Sequence, residues 1–344
     1  MRLAAITRGL GEGFSHTIIS LSGCFDAAPL LDPDLDITLA PPRPARGAFG
    51  RLSLARRWLA ELKPDLLVTY NWGGMDFALA NIGRSTPHVH VEDGFGPHEA
   101  TRQFRRRVWL RRLVLQRSQL AAPSATLKAI AVKDWKLDGR RVHHIPNGIA
   151  AQDGWSTSIE SLNLDLPPGL PILVWVGALR AEKNPFKLLR AYALLKDRAA
   201  LLIVGDGYVR EAVEAEIERG GYANVRLLGY REDARDLVMQ SDILVLSSDT
   251  EQMPLAVLEA MDAGLPVVST DVGDVRRMVT PMNTPFVTSS ETALAAAMMR
   301  LVDDAELRRD IGGANRVRCR DVYSLDKMIL AWRDLFEGQF KPSN

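Results

Sequence analysis

Ile243-Leu244-Val245-Leu246-Ser247-Ser248-Asp249-Thr250-Glu251-Gln252-Met253-Pro254-Leu255-Ala256-Val257-Leu258-Glu259-Ala260-Met261 is the stretch that decides the fold. It lies within a longer segment from Ser241 to Arg277. Ile243–Leu246 is a short apolar run of the kind a buried parallel strand needs. A helix is expected to begin near Pro254, since proline suits the first helical position, where a missing N–H does no harm. It should stop at Gly264, with Pro266 just beyond. Pro266–Thr270 reads as the next strand, and Asp271-Val272-Gly273 as another loop. Glu251 thus falls in a strand-to-helix loop at the mouth of a sheet, and Glu259 roughly 7–8 Å into the helix. The unpaired N–H groups between them form an anion site. A carboxylate, an anion site and a second carboxylate in line suit a nucleotide-sugar: sugar hydroxyls, diphosphate, ribose hydroxyls.

Glu251 to Met261 resembles the paired-glutamate signature of the retaining glycosyltransferases of family 4. Other short motifs match in the family's order: His144-Ile145-Pro146-Asn147-Gly148, Val176-Gly177 through Glu182-Lys183, Val204-Gly205-Asp206-Gly207, Leu228-Gly229, and Pro266 to Gly273. Any one would be weak, but their succession is specific. The resemblance is strong from His143 to about Val279 and diffuse before that. It implies an α/β chain of GT-B architecture: two doubly wound, Rossmann-like domains facing each other across a cleft. The expected division is 1–147 for an acceptor-side domain, 148–322 for a nucleotide-sugar-binding domain, and 323–344 for a C-terminal helix packing back toward the first.

Composition is compatible with that architecture. A chain of 344 residues favours two domains, each with its own core. A net charge of +1 gives no basic excess for nucleic acid. Cys24 and Cys319 are too few for a disulfide framework or thiolate metal site, which points to a reducing compartment. No apolar stretch approaches a membrane span, and the start lacks a secretion-signal pattern. A cytoplasmic protein is expected, with possible contact at the inner face of a membrane.

Strands alternate with helices throughout. In the first half His16–Leu21, Leu35–Leu39, Asp65–Tyr70 and Pro87–Val91 read as strands, and Leu52–Leu62 as a helix. In the second half the strands are Ile172–Val176, Leu201–Val204, Val225–Leu228, Ile243–Leu246 and Pro266–Thr270. Such alternation, with glycine loops at strand ends, places functional groups at the C-terminal edges of parallel sheets.

By the resemblance, Glu251 holds the donor sugar hydroxyls and Glu259 the ribose diol, while the backbone of Gln252 and Met253 lies against sugar or phosphates. The plain alternative is a loop glutamate and a solvated helix face. Arg180 and Lys183 follow the strand that ends at Val176, before a helix that Asn184 caps and Pro185 starts. Two cations there neutralise a leaving nucleoside diphosphate without metal. The family places its arginine directly after the strand glycine, Gly177; here Ala178 stands there, and Arg180 comes two residues later. A surface pair with Glu182 is the alternative for Arg180. Gly229, Tyr230 and Arg231 are expected at the nucleotide base, although an exposed loop tyrosine explains Tyr230 nearly as well. Gly205-Asp206-Gly207 reads first as a tight turn.

In the first half, related enzymes carry a histidine between a glutamate and a glycine. Here Glu92-Asp93-Gly94 puts Asp93 in that place, with His90 and His98 nearby as substitutes; a turn role for Asp93 competes. Asn71 and Gly73-Gly74 are acceptor-side candidates. Arg102 to Arg117 carries seven arginines interleaved with Phe104, Trp109, Leu110, Leu113 and Leu115. This suits an amphipathic helix on anionic lipid, or a solvated helix packed on a sheet.

The expected activity is transfer of a hexose-type sugar from UDP or GDP to a glycan or lipid-linked acceptor in surface polysaccharide assembly. No cofactor and no metal are expected, since Asp32-Pro33-Asp34 reads as a turn. A nucleotide-sugar epimerase and a catalytically inert nucleotide-sugar binder stand as alternatives. Leu3, Ile6 and Leu10 mark a helical face. Met1 is then expected inside the family's first helix, with the first strand and its glycine loop upstream; the other possibility makes Met1 to Thr7 that strand.

Overall fold

The computed structural model describes residues 2–26, 28–41, 43–95, 99 and 103–340. Met1, His98 and Arg102, named above, lie outside the described residues. The chain divides into two compact units: among the described residues, 2–26, 28–41, 43–94, 103–147 and 325–340 form one, and Gly148–Ser324 with Phe95 and Glu99 the other.

The first unit opens with helix α1 (Arg2–Leu10), which buries Ala4, Ile6, Thr7 and Leu10. The segment is helical because its apolar residues repeat at helical spacing, so the strand reading of Met1 to Thr7 does not hold among the described residues. β1 (His16–Ile19) and β2 (Ile37–Ala40) pair in parallel as a two-stranded sheet. Between them Asp32 Oδ1 accepts the Asp34 N–H at 3.1 Å, the local turn expected of that acidic pair. α2 (Gly47–Leu62) ends where Lys63 turns left-handed before Pro64. Next come β3 (Leu67–Tyr70), α3 (Met75–Ala80), β4 (His88–Val91), α4 (Arg105–Val114), β5 (Gln119–Ala122), α5 (Ala125–Lys133) and β6 (Val142–His144). Their strands form a separate parallel sheet in the order β3-β4-β5-β6. Every residue of β4 is buried.

The second unit runs through β7 (Ile172–Val176), α6 (Pro185–Tyr192), β8 (Ala200–Val204), α7 (Arg210–Gly220), β9 (Val225–Gly229), α8 (Ala234–Met239) and β10 (Ile243–Leu246). It continues with α9 (Leu255–Ala263), β11 (Val267–Thr270), α10 (Val275–Met278), β12 (Val287–Thr288), α11 (Glu291–Asp303) and α12 (Ala305–Val322). Its six parallel strands lie in the order β12-β11-β10-β7-β8-β9. Successive side chains of β7 feed opposite layers. Leu173 and Trp175 pack with Leu188, Tyr192 and Val245 on one face. Val174 packs with Leu202, Leu244, Val257 and Met261 on the other. Each such side chain contributes about 1.5–3 kcal/mol when fully buried. Burial on both faces is why these strands read as unbroken apolar runs.

The chain order reverses at β7, which has β8 on one side and β10 on the other. The loops after β7 and β10 therefore leave the C-terminal edge side by side, the place where open parallel sheets bind ligands. The last helix, α13 (Leu325–Glu337), belongs with the first unit and packs on α1. Trp332 and Phe336 are buried with Ile6, Leu10, Val89 and Val91, and the Arg333 guanidinium donates to the Gly9 carbonyl at 2.8 Å. Gly9 has no room for a side chain there, because an added Cβ would come within 2.5 Å of Ile329.

Candidate functional site

At the reversal point of the second unit, β10 ends in the buried Ser247 and Ser248. Ser247 is tied inward, accepting from the Trp175 indole at 3.2 Å and donating to the Lys183 carbonyl at 3.0 Å. Ser248 donates to Glu251 Oε1 at 2.9 Å, and Lys183 Nζ lies 2.5 Å from the same oxygen. Glu251 and Lys183 are thus brought together, one from each of the two adjacent loops. Asn184 caps α6 through the Lys187 N–H, and Pro185 follows at the first turn. Arg180 is exposed and its side chain has no ion pair among the described residues, so the surface pair with Glu182 is not formed.

Pro254 is the cap of α9 in extended conformation (φ −68°, ψ 127°), and Leu255 is the first helical residue, one later than expected. Among the described residues no side-chain hydrogen bond caps this nine-residue helix. The loop before it is pinned from behind by Gly273, whose φ of 54° favours glycine. An added Cβ at Gly273 would fall 2.4 Å from the Gln252 carbonyl oxygen, which also accepts the Asp274 N–H at 2.9 Å. Met253 buries its side chain in the core, so a ligand there meets backbone.

Glu259 is half-buried and makes no hydrogen bond or ion pair among the described residues. Burial pushes its carboxyl above the usual range, with Arg235 pulling the other way. Gly229 has a φ of 69° and its carbonyl accepts the Gly205 N–H at 2.8 Å. Gly205 and Gly207 fit only as glycines, because added Cβ atoms would collide with the carbonyl oxygens of Gly177 and Leu179. That close packing is the tight-turn role expected of them. Tyr230 is exposed, and Arg231 is held by Asp233 through two bonds of 2.7 Å. The Gly177 N–H goes to the Val204 carbonyl at 3.0 Å.

Asp93 belongs to the first unit, at the C-terminal end of β4, where its N–H donates to Asn71 Oδ1 at 2.7 Å and its carboxylate pairs with Arg2. His90 does not stand in for the missing histidine. It is fully buried within β4, and its Nδ1 shares Thr69 Oγ1 at 2.8 Å with His88. Glu92 is also buried and pairs with Arg111 at 3.0 Å. That contact takes Arg111 out of the basic face of α4. The exposed face carries Trp109 and Leu113 with Arg105, Arg106 and Arg112 around them, and Phe104 at its start.

Ser248, Arg235 and Arg2 were missed in the sequence. Only Ser248 had a local signal, a hydroxyl at a strand end three residues before the glutamate. The other two reach their partners through the fold.

Two family models match the chain in succession: Glycosyltransferase Family 4 over residues 8–153 and Glycosyl transferases group 1 over residues 159–318. N-acetyl-alpha-D-glucosaminyl L-malate synthase of Bacillus anthracis is 26% identical over 174 residues, 48% of this chain and 45% of that protein. UDP-Gal:alpha-D-GlcNAc-diphosphoundecaprenol alpha-1,3-galactosyltransferase of Escherichia coli is 29% identical over 159 residues, 42% of this chain and 40% of that protein. The matched stretch spans about half of these relatives' length or less. A glycosyltransferase from Rickettsia africae superposes with a TM-score of 0.79 at 17% identity, over 100% of this chain and 97% of that one. HepE from Anabaena, solved with UDP, gives 0.77 at 16% identity, over 94% and 100%. The fold is the GT-B fold, two Rossmann-like α/β units with parallel sheets. In fold and in both family-model matches the chain is similar to glycosyltransferases of the GT-B type.

Proposed function

We propose that this chain transfers a hexose-type sugar from UDP or GDP to a glycan or lipid-linked acceptor, with retention, on the cytoplasmic side of surface polysaccharide assembly. The observation that carries this reading is Glu251, oriented by Ser248 and Lys183 at the reversal point of the sheet. Glu251 holds hydroxyls of the donor sugar. Glu259, with no hydrogen bond or ion pair among the described residues, accepts the two ribose hydroxyls, as a carboxylate can. The start of α9, with the backbone of Gln252 and Met253, faces the diphosphate. Lys183 and the exposed Arg180 neutralise the charge that develops on it, so no bound cation is needed. Gly177, Gly229, Tyr230 and Arg231 border the nucleotide, and Asp93 serves the reacting hydroxyl. In the transfer, the acceptor oxygen bonds the anomeric carbon, the bond to the diphosphate breaks, and the hydroxyl proton passes to the departing diphosphate.

The Escherichia coli relative's name carries a UDP-sugar and a lipid diphosphate, which supports both donor and acceptor classes. The aromatic and basic face of α4 suits contact with an anionic membrane, where such acceptors reside. Incubation with a panel of nucleotide-sugars and lipid-linked acceptors tests the reading. Sugar transfer that survives chelator supports it, and a chain silenced by chelator and restored by manganese contradicts the metal-free step. An inert nucleotide-sugar binder is the second reading, favoured by the aspartate at position 93; binding without turnover would establish it.

A further inference from the structure

We propose that Arg2 is a positioning residue for sugar transfer, holding Asp93 so that one carboxylate oxygen faces an incoming hydroxyl. The inference rests on the glycosyltransferase reading and adds a residue from α1 to it.

Four polar side chains meet at the C-terminal edge of the first unit's larger sheet. The Arg2 guanidinium, 15% exposed, pairs with Asp93 Oδ1 and donates to Asn147 Oδ1 at 3.3 Å. It also lies 5.9 Å from the Trp332 ring centroid on α13. Arg2 is thus fixed from three sides, by the ends of β4 and β6 and by a helix. Asp93 is 41% exposed, and its second oxygen, Oδ2, makes no hydrogen bond or ion pair among the described residues. The carboxylate is anchored through one oxygen and leaves the other without a partner among the described residues.

The backbone supports the same assignment. Asn71 sits at φ 52°, ψ −168°, a region that residues other than glycine rarely enter. Such strain persists only where the surroundings enforce it. Here the strained residue's amide oxygen receives the Asp93 N–H at 2.7 Å, which fixes Asp93 from behind. A carboxylate oxygen with amides beside it is the chemistry that receives a sugar or polyol hydroxyl. Tyr70, half-buried at the end of β3, has its phenol pushed up to about 12 by burial, with Arg2 lowering it and Asp93 raising it. It stays neutral and leaves Arg2 as the cation facing the carboxylate.

The test uses the full chain with Arg2→Gln, Arg2→Lys and Arg2→Ala, reading nucleoside diphosphate binding and sugar transfer on the same samples. We expect nucleotide affinity near wild type in all three, because that site is in the second unit. Arg2→Gln should lower transfer by about 10²-fold, the scale of a misplaced reacting group. Arg2→Lys should restore part of it, and free guanidinium added to Arg2→Ala should restore part again. Thermal melts of the same variants near the wild-type value would separate this role from a merely structural one. If Arg2→Gln transfers at the wild-type rate and acceptor KM, or if neither lysine nor guanidinium restores a lost rate, the inference is overturned while the glycosyltransferase reading stands. If the wild-type chain neither binds a nucleotide-sugar nor transfers, that reading fails and this inference falls with it.

Discussion

Lys183 and Glu251, 68 positions apart in the chain, meet with Nζ 2.5 Å from Oε1. The contact exists because β7 and β10 are neighbours although two strands lie between them in sequence. Both partners are largely buried, 28% and 11% exposed, so the pair is shielded from screening by salt. Lys183→Ala should then act twice. It removes a cation from the leaving diphosphate and leaves Glu251 with Ser248 alone. Turnover should fall on the order of 10²-fold, and stability by roughly 1–3 kcal/mol. Arg180→Ala, at an exposed position with no ion pair among the described residues, should cost less activity and no stability. Equal losses in the two variants, measured by steady-state rates and thermal melts, would contradict the assignment.

Glu259 couples stability to binding in opposite directions. Burial raises its carboxyl above the ordinary value, so the folded protein holds this proton more tightly than the unfolded chain does. At neutral pH the anion is therefore a destabilising element, and stability from this group grows as pH falls toward the raised value. Glu259→Gln should raise Tm at pH 7 and weaken nucleoside diphosphate binding. Wild-type affinity should decline on acidification through the raised pKa, while the variant's stays flat. Calorimetry showing the same affinity in both at pH 7 would remove Glu259 from the ribose.

Asp236 gives the reverse sign. It anchors the segment after Gly148, accepting from the Ser156 and Thr157 N–H groups at 2.9 Å, the Ser156 hydroxyl at 2.8 Å and Gln152 at 2.9 Å. Burial pushes its carboxyl up, but these bonds outweigh that and hold it below the usual range. Its stabilisation is present above the ordinary carboxylate pKa and is lost as pH falls through the depressed value. Asp236→Asn should cost about 1–3 kcal/mol at pH 7, with the gap to wild type closing in acid. Identical melting curves at both pH values would show that these bonds carry no net stability.

The exposed face of α4 should bind anionic vesicles. Replacing Arg105, Arg106 and Arg112 by glutamine should weaken binding by about 1 kcal/mol per cation. Trp109→Ala should weaken it further without changing nucleotide affinity. Wild-type binding that is equal on neutral and anionic vesicles would remove the membrane assignment.

What was legible in the sequence follows from how each element is specified. β7 and β10 were read to the residue, because strands buried on both faces are unbroken apolar runs. β5 (Gln119–Ala122) and β6 (Val142–His144) were not read, since two alanines and two histidines carry no strand signal and acquire it from the pairing of Leu120 with Val142. The Asn184 cap and the Gly264 stop were legible because they are local. The Lys183–Glu251 and Arg2–Asp93 contacts were not, because partners 68 and 91 positions apart leave no mark on either segment. His90, named only as a substitute for the histidine of related enzymes, takes its place from the pairing of β4 with β3. Its neighbourhood resembled a site, whereas the pleat of β4 turns its ring inward to Thr69.

The most direct measurement is sugar transfer by wild type and Glu251→Ala, with nucleoside diphosphate affinity determined on both. The proposed roles predict turnover by wild type, near-equal nucleotide affinity in the two, and a loss of about 10²-fold or more in turnover for the variant, as expected when a contact made to the transferring sugar is removed. A Glu251→Ala chain that transfers sugar as fast as wild type would contradict the central claim.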